Sequence, residues 1–267
     1  FLRMFKQLKV LGQGSYGCVF EVEKNIDSKI KWKRAVKRIP ILGSENEVDD
    51  ALREVAAMES FNHPGIVRFY DAWKELPPKG WQVNTKYRIP QMLSYSATNR
   101  RSNDDCAFLY IQMELCDSTL ADWLKNNKDR DAVRMKHWFK QIVSAVSYIH
   151  DTGMIHRDLK PDNIVFANKD RLKICDFGIA TNRAIVDLGQ GLEEMSRSRT
   201  FDQGTDLYMA PEQANSTVYS SKVDIFALGL ILAQLCDVMT IDKAAKVNYS
   251  RRGKCSNINK CNGSLNV

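Results

Sequence analysis

The stretch His156-Arg157-Asp158-Leu159-Lys160-Pro161-Asp162-Asn163, followed by Asp176-Phe177-Gly178, constrains this chain more than any other. It packs carboxylates, an amide and a lysine into one short span. Phosphoryl transfer from a nucleotide needs such groups: one to orient the attacking hydroxyl, oxygens to hold a metal ion, and a positive charge on the transferring phosphate. Taken singly, the same residues would suit a polar loop between two helices. Their order, and the spacing to Asp176, are more than such a loop requires.

Upstream, residues 8 to 23 read L-K-V-L-G-Q-G-S-Y-G-C-V-F-E-V-E. Apolar alternation on both sides of the glycines predicts two strands joined by a flexible turn. Gly12, Gly14 and Gly17 would let backbone N–H groups close over phosphates without a side-chain clash. The G-x-G-x-x-G spacing alone is a weak signal, and an ordinary glycine-rich hairpin fits it equally. A dinucleotide-binding fold needs a helix next; here a second strand follows. Ala35-Val36-Lys37-Arg38-Ile39 predicts a further strand, on which a lone lysine usually faces solvent. Between residues 46 and 60, Val48, Ala51, Leu52, Val55 and Met58 recur at helical spacing. Glu54 lies at the edge of that stripe and can point inward.

Pro64 and Gly65 end this segment, and Ile66 to Tyr70 starts another strand. Residues 75–106 lose periodicity and read as a polar insertion with little fixed structure. Phe108 to Met113 is again a strand, and Ser118-Thr119-Leu120 opens a short helix ending near Asn127. Met135, Trp138, Phe139, Ile142, Ala145, Val146 and Ile149 form the clearest helical stripe, stopped by Gly153. Ile164-Val165-Phe166 and Leu172-Lys173-Ile174 predict a hairpin that holds Asn163 and Asp176 at its two ends. Residues 179–209 read as a mobile loop. Lys222 to Leu232 is apolar nearly all round, a buried helix too short for a membrane span, with Asp224 accepting hydrogen bonds from the backbone near Asp158. From about Asp237 the pattern ends, and residues 237–267 read as a divergent, disordered tail.

Composition narrows the class. Of 267 residues 44% are apolar, which excludes wholesale disorder. The net charge of +7 is spread along the chain, so solvated surface accounts for it better than a nucleic-acid patch. Seven cysteines without a C-x-x-C pair argue against a disulfide framework or zinc site. Cys18, Cys116, Cys175 and Cys236 read as buried reduced thiols in a reducing compartment. His63, His137 and His150 carry no ligand spacing and read as structural or surface residues, while His156 packs beneath the loop it precedes. The chain starts at Phe1, without a signal-like region, and reads as part of something longer. No stretch approaches the roughly 20 apolar residues of a membrane helix.

H-R-D-L-K-P-D-N with D-F-G downstream resembles the catalytic loop and metal-binding motif of protein kinases. The resemblance implies an α+β bilobal fold, with a strand-rich N-lobe over residues 1–115 and a partial helical C-lobe over 116–236 lacking its last helices. It implies ATP and Mg2+ as cofactors. Asp158 would orient the substrate hydroxyl, Lys160 would meet the phosphate, and Asn163 and Asp176 would hold magnesium. Leu11, Gly12, Gly14, Gly17, Val19, Ala35, Met113, Glu114 and Cys116 would line the nucleotide site, with Glu114-Leu115-Cys116 as the hinge that meets adenine. Lys37 would hold the α- and β-phosphates, fixed by Glu54. Ala210-Pro211-Glu212 resembles the motif that closes the activation segment. Thr200 would be its phosphorylation site, ordering the loop through Arg157 and nearby cations, and Thr205 a contact of Asp158 and Lys160.

Finer wording narrows the family. His63 to Phe69 through Ala72-Trp73, Tyr110 to Cys116 with Thr119 to Trp123, Tyr208 to Gln213 and Val223 to Phe226 are similar to kinases of the alpha subunit of translation initiation factor two. Lys222-Val223-Asp224-Ile225-Phe226 leans toward the endoplasmic-reticulum stress branch. The implied partners are that subunit as substrate and a second copy through the N-lobe, with no nucleic acid and no membrane span in this segment. The implied place is the cytoplasm, or the cytosolic face of the endoplasmic reticulum. The rival reading is a truncated, inactive kinase-like module that binds nucleotide or a partner kinase. It draws on the tail, where neither a substrate-docking helix nor an arginine partner for Glu212 is evident.

Overall fold

In the computed structural model the described residues are 4–14, 17–25, 31–41, 45–76, 107–178, 180–182, 207–215 and 220–236. They divide into two compact units, the first from Phe1–Asn62 and Val67–Cys116, the second from His63–Ile66 and Asp117–Val267. Strands dominate the first and helices the second, an α+β chain.

In the first unit β1 (Lys6–Gly14), β2 (Gly17–Asn25) and β3 (Lys31–Ile41) pair in succession. β5 (Ala107–Met113) joins β3, and β4 (Phe69–Glu75) closes the far edge of one antiparallel sheet. Pairing places Val19 opposite Lys37, Lys37 opposite Ile111, and Ala35 opposite Met113. These side chains therefore share one face. The other face buries Phe5, Cys18, Phe20, Val22, Val36, Phe108 and Tyr110, with Trp32 and Trp73 packed against them. Each such aromatic ring taken from water stabilises by about 1.5–3 kcal/mol. The Arg38 guanidinium lies between Phe20 and Phe108, 4.9 Å from each ring centre. Edge strand β1 breaks register twice, between Gln7 and Lys9 and between Val10 and Gly12.

Helix α1 (Glu45–Ser60) buries Glu54, Ala57 and Met58. The periodicity predicts Leu52 on the buried side, but it is 52% exposed. The stripe is turned because the Glu54 carboxylate, bonded to Lys37, faces inward. The strand expected from Ile66 starts only at Phe69: Pro64 and Gly65 form a turn closed by Ile66 N–H donating to the His63 carbonyl, and Ile66 makes an isolated bridge to Ile174. Within the second unit, Gly65 leaves no room for a side chain, since a Cβ there would lie 2.9 Å from Ala145 Cβ.

The first helix of the second unit is α2 (Leu120–Asn126), capped by Thr119, whose hydroxyl accepts from Asp122 N–H. Helix α3 (Ala132–Asp151) buries Met135, Trp138, Ile142, Ala145, Val146 and Ile149 on one side. Gly153, at φ +80°, then turns the chain as only glycine does readily. β6 (Met154–Ile155) pairs with β9 (Thr181–Asn182), and β7 (Ile164–Asn168) with β8 (Arg171–Ile174) as the expected hairpin. Asn168 Oδ1 closes its turn by accepting from Asp170 and Arg171 N–H. Gln141 of α3 grips the same turn, donating to the Asp170 carbonyl and accepting from Leu172 N–H. After α4 (Pro211–Asn215), α5 (Lys222–Leu235) buries Val223, Asp224, Ala227, Leu228, Leu230, Ile231 and Leu235. It is not buried all round as expected, for Ile225 is 48% exposed and Leu232 37%.

Among the described residues no helix is long and apolar enough to cross a membrane. Cys18, Cys116, Cys175 and Cys236 are free thiols. Only Cys18 is buried; Cys116 and Cys175 are half-buried, and Cys236 is exposed as the residue capping α5. Residues 77–106, Thr200, Thr205 and the tail 237–267 lie outside the described residues.

Candidate active site

In the first unit the candidate residues gather on one sheet face. Val19, Ala35, Lys37 and Met113 lie there side by side through strand register, and Gly12 pairs with Val19. Leu11 is partly exposed on β1. Gly14 and Gly17 pair across the β1–β2 turn. Gly17 sits at φ +131°, and a Cβ there would meet the Arg38 carbonyl oxygen at 2.2 Å. Glycine is therefore required here by both conformation and space, whereas a Cβ at Gly12 would meet nothing within 4 Å.

Lys37 Nζ donates to Glu54 Oε1 at 2.7 Å, with side chains 7% and 3% exposed. Two such charges are tolerated away from water because each meets the other. Glu114 bonds Arg68 twice, its N–H to the Arg68 carbonyl at 2.9 Å and its Oε2 from Arg68 N–H at 3.2 Å. Cys116 follows, half-buried, as the last residue of the unit. Not anticipated from sequence is a ladder in which Glu21 meets Lys33 at 2.8 Å and Lys9 at 3.3 Å. The Lys33 hydrogen bond holds the Glu21 carboxyl below its usual range.

In the second unit the loop after β6 is pinned from below by Asp224. Its Oδ1 accepts Arg157 N–H at 2.9 Å, and its Oδ2 accepts His156 N–H at 2.9 Å. His150 Nε2 reaches the same Oδ2 at 2.7 Å. These bonds hold Arg157 in the left-handed region, at φ +69°, which costs a non-glycine residue about 1–2 kcal/mol. On the opposite side, Gln213 Nε2 donates to the Arg157 carbonyl at 3.2 Å while its Oε1 accepts from Ala210 N–H at 2.9 Å. His156, fully buried, accepts Asp158 N–H at Nδ1, and its Nε2 lies 3.2 Å from the Cys175 carbonyl. The first bond leaves the proton on Nε2, so the imidazole links the Asp158 amide to the residue before Asp176.

Asp158 stands at the centre. Its Oδ2 meets Lys160 Nζ at 3.0 Å and accepts from Asn163 Nδ2 at 2.9 Å; the same Nδ2 donates to the Asp158 carbonyl at 2.8 Å. Burial pushes the Asp158 carboxyl up, Lys160 opposes this, and the Asp176 charge adds to it. The Asp176 carboxylate is thus close enough to be felt. Cys175 N–H donates to the Asn163 carbonyl at 3.0 Å, fixing Asp176, at φ +64°, beside Asn163.

The donors fit a hard divalent cation. With Nδ2 engaged by Asp158, Asn163 presents Oδ1 as its remaining acceptor, and Asp158 and Asp176 concentrate negative charge next to it. Hard cations take such oxygens. Among the described residues no cluster of three or more His, Cys, Asp or Glu side chains suits a metal, so an oxygen set that includes an amide is the candidate. Sequence reasoning named Asp158, Lys160, Asn163, Asp176 and Asp224, and did not single out His150 and Gln213, whose partners are 74 and 56 residues away.

Comparison with known proteins shows the family. Residues 5–262 match the protein kinase domain, a match that runs past Cys236. The chain is 38% identical over 246 residues to the interferon-induced, double-stranded RNA-activated protein kinase of Rattus norvegicus, covering 91% of this chain and 42% of that protein. It is 32% identical over 253 residues to the eIF-2-alpha kinase GCN2 of Arabidopsis thaliana, covering 88% of this chain and 20% of that one. Against the eukaryotic translation initiation factor 2-alpha kinase pek-1 of Caenorhabditis elegans it is 42% identical over 148 residues, covering 51% and 14%. The chain thus spans less than half the length of each of these relatives.

Proposed function

The chain belongs to the protein kinase domain family, and from that premise we propose that it transfers the γ-phosphate of ATP to a serine or threonine of the alpha subunit of translation initiation factor two. The observation that carries this reading is the setting of Asp158: a buried carboxylate braced by Lys160 and Asn163, on a loop held by Asp224. The carboxylate orients the incoming hydroxyl and takes up its proton. Lys160 offsets charge on the transferring phosphoryl group, and Lys37, steadied by Glu54, does so on the phosphates that remain. Such preorganised charge supplies most of the acceleration in phosphoryl transfer. Asn163 Oδ1 and the Asp176 carboxylate would hold Mg2+, which when bound neutralises the phosphate oxygens. Val19, Ala35 and Met113 offer an apolar floor for adenine, with the backbone of Glu114 to Cys116 at its edge.

The substrate is inferred from relatives named as kinases of that factor. From the resemblance come three further parts of the proposal: activation through Thr200, pairing of two copies through the first unit, and a site of action in the cytoplasm or on the cytosolic face of the endoplasmic reticulum. The inactive-module reading is not favoured, since the relatives matched over most of the chain are named as kinases.

Asp158→Ala tests the proposal. Transfer to the alpha subunit should fall at least about a hundredfold while calorimetry still detects ATP binding. Retained transfer would remove Asp158 from the role given to it.

A further inference from the structure

We propose that Gln213 is a positioning residue for Asp158, transmitting the placement of the Leu207–Ala210 segment to the peptide that carries the catalytic carboxylate. The inference rests on the proposed role of Asp158 and extends it. Gln213 is 2% exposed, and both ends of its amide are engaged. One end accepts from Ala210 N–H. The other donates to the Arg157 carbonyl, the acceptor on the peptide that joins Arg157 to Asp158.

That peptide follows a residue in the left-handed region. Its conformation persists only if held from both sides. Asp224 grips the Arg157 amide at 2.9 Å, and Gln213 grips the carbonyl at 3.2 Å. Rotation of this peptide plane swings the Asp158 Cα–Cβ bond, so the Gln213 bond to the carbonyl, together with the His156 bond to the Asp158 amide, bears on where the carboxylate points. The far end of the link is also anchored: Tyr208, two residues before Ala210, donates its hydroxyl to Gln234 Oε1 of α5 at 2.9 Å. A shift of the Leu207–Ala210 backbone therefore reaches the Asp158 peptide through the Gln213 side chain. A glutamine needed for packing alone would gain nothing from aiming its donor at that carbonyl.

Two variants separate the legs. Gln213→Met keeps the length and loses both bonds; Gln213→Glu keeps an acceptor for Ala210 N–H and loses the donor to Arg157. Each is compared with the parent chain for kcat and KM(ATP) on the alpha subunit, and for hydrogen exchange at the Arg157 and Asp158 amides. In both variants kcat should drop about tenfold or more with KM(ATP) within about twofold. The two amides should exchange faster while those within α3 and α5 do not change. Unaltered kcat, or unaltered exchange at both amides, would overturn the proposal, as would equal loss of protection throughout α5. If Gln213→Met does not fold, Gln213→Glu decides alone. Should the parent show no Asp158-dependent transfer, the proposed function fails, and the exchange measurement alone decides the link.

Discussion

Lys37 and Glu54 show what one buried ion pair asks of its neighbours. Each side chain is almost sealed from water, and Lys37 Nζ lies 2.7 Å from Glu54 Oε1. Removing one partner takes the opposite charge away from the other in a poorly polarisable surrounding. Lys37→Met should therefore destabilise the fold by about 3–5 kcal/mol, besides abolishing transfer. Lys37→Met combined with Glu54→Leu should restore much of that stability and none of the activity, because the stranded carboxylate is gone. Urea unfolding of the two variants checks this; equal midpoints would show that the pair bears little on stability. At the same scale, Asp224 shows why a buried acid need not be costly. Both of its oxygens are taken up by backbone amides and by His150.

At the scale of elements, the β1–β2 turn contrasts two glycines in one motif. Gly17 lies at a positive φ with the Arg38 carbonyl where its Cβ would be, while Gly12 has open space. Gly17→Ala should force β2 away from β3 next to Lys37, lowering the melting temperature by several degrees and weakening ATP binding. Gly12→Ala should change stability by no more than about 0.5 kcal/mol. Thermal melts of both variants test the contrast, and similar losses would contradict it. Helix α1 makes a related point about period. Its apolar residues repeat at helical spacing, yet Leu52 faces solvent and Glu54 faces in. Hydrophobic period identifies the helix, but the partner across the gap selects the face, and here that partner is a lysine.

For the whole molecule, His63 makes one contribution to how stability depends on pH. Its ring stacks on Tyr148 at 5.0 Å, Nδ1 accepts Gly65 N–H at 3.0 Å, and Nε2 lies 3.3 Å from Ser144 Oγ. Burial lowers its proton affinity. The folded chain thus binds this proton less readily than the unfolded one, so the contribution is complete above about pH 6.5 and is lost as pH falls through the depressed folded value. Between pH 7.5 and 5.5 the melting temperature should decline, and His63→Gln, though less stable at pH 7.5, should decline less. Parallel curves for the two proteins would rule out His63 as the source.

Local spacing made much of this molecule legible in advance. Asp158, Lys160 and Asn163 meet because they lie within one turn-rich loop, and the hairpin after them returns Asp176 to Asn163. What was not legible joins distant parts of the chain: His150 to Asp224, Gln213 to Arg157, and the outward turn of Ile225 on α5. A histidine or glutamine in a helix gives no sign of the carbonyl or carboxylate it will find once the fold closes.

Strand β1 carries one last implication. It lies at a border of its sheet, bears Lys6 and Lys9, and slips register twice along its length. A lateral margin so crooked and so positively charged is a poor template for a foreign backbone. If two copies join through this unit, they do so by fitting side chains together, not by merging their ribbons into one.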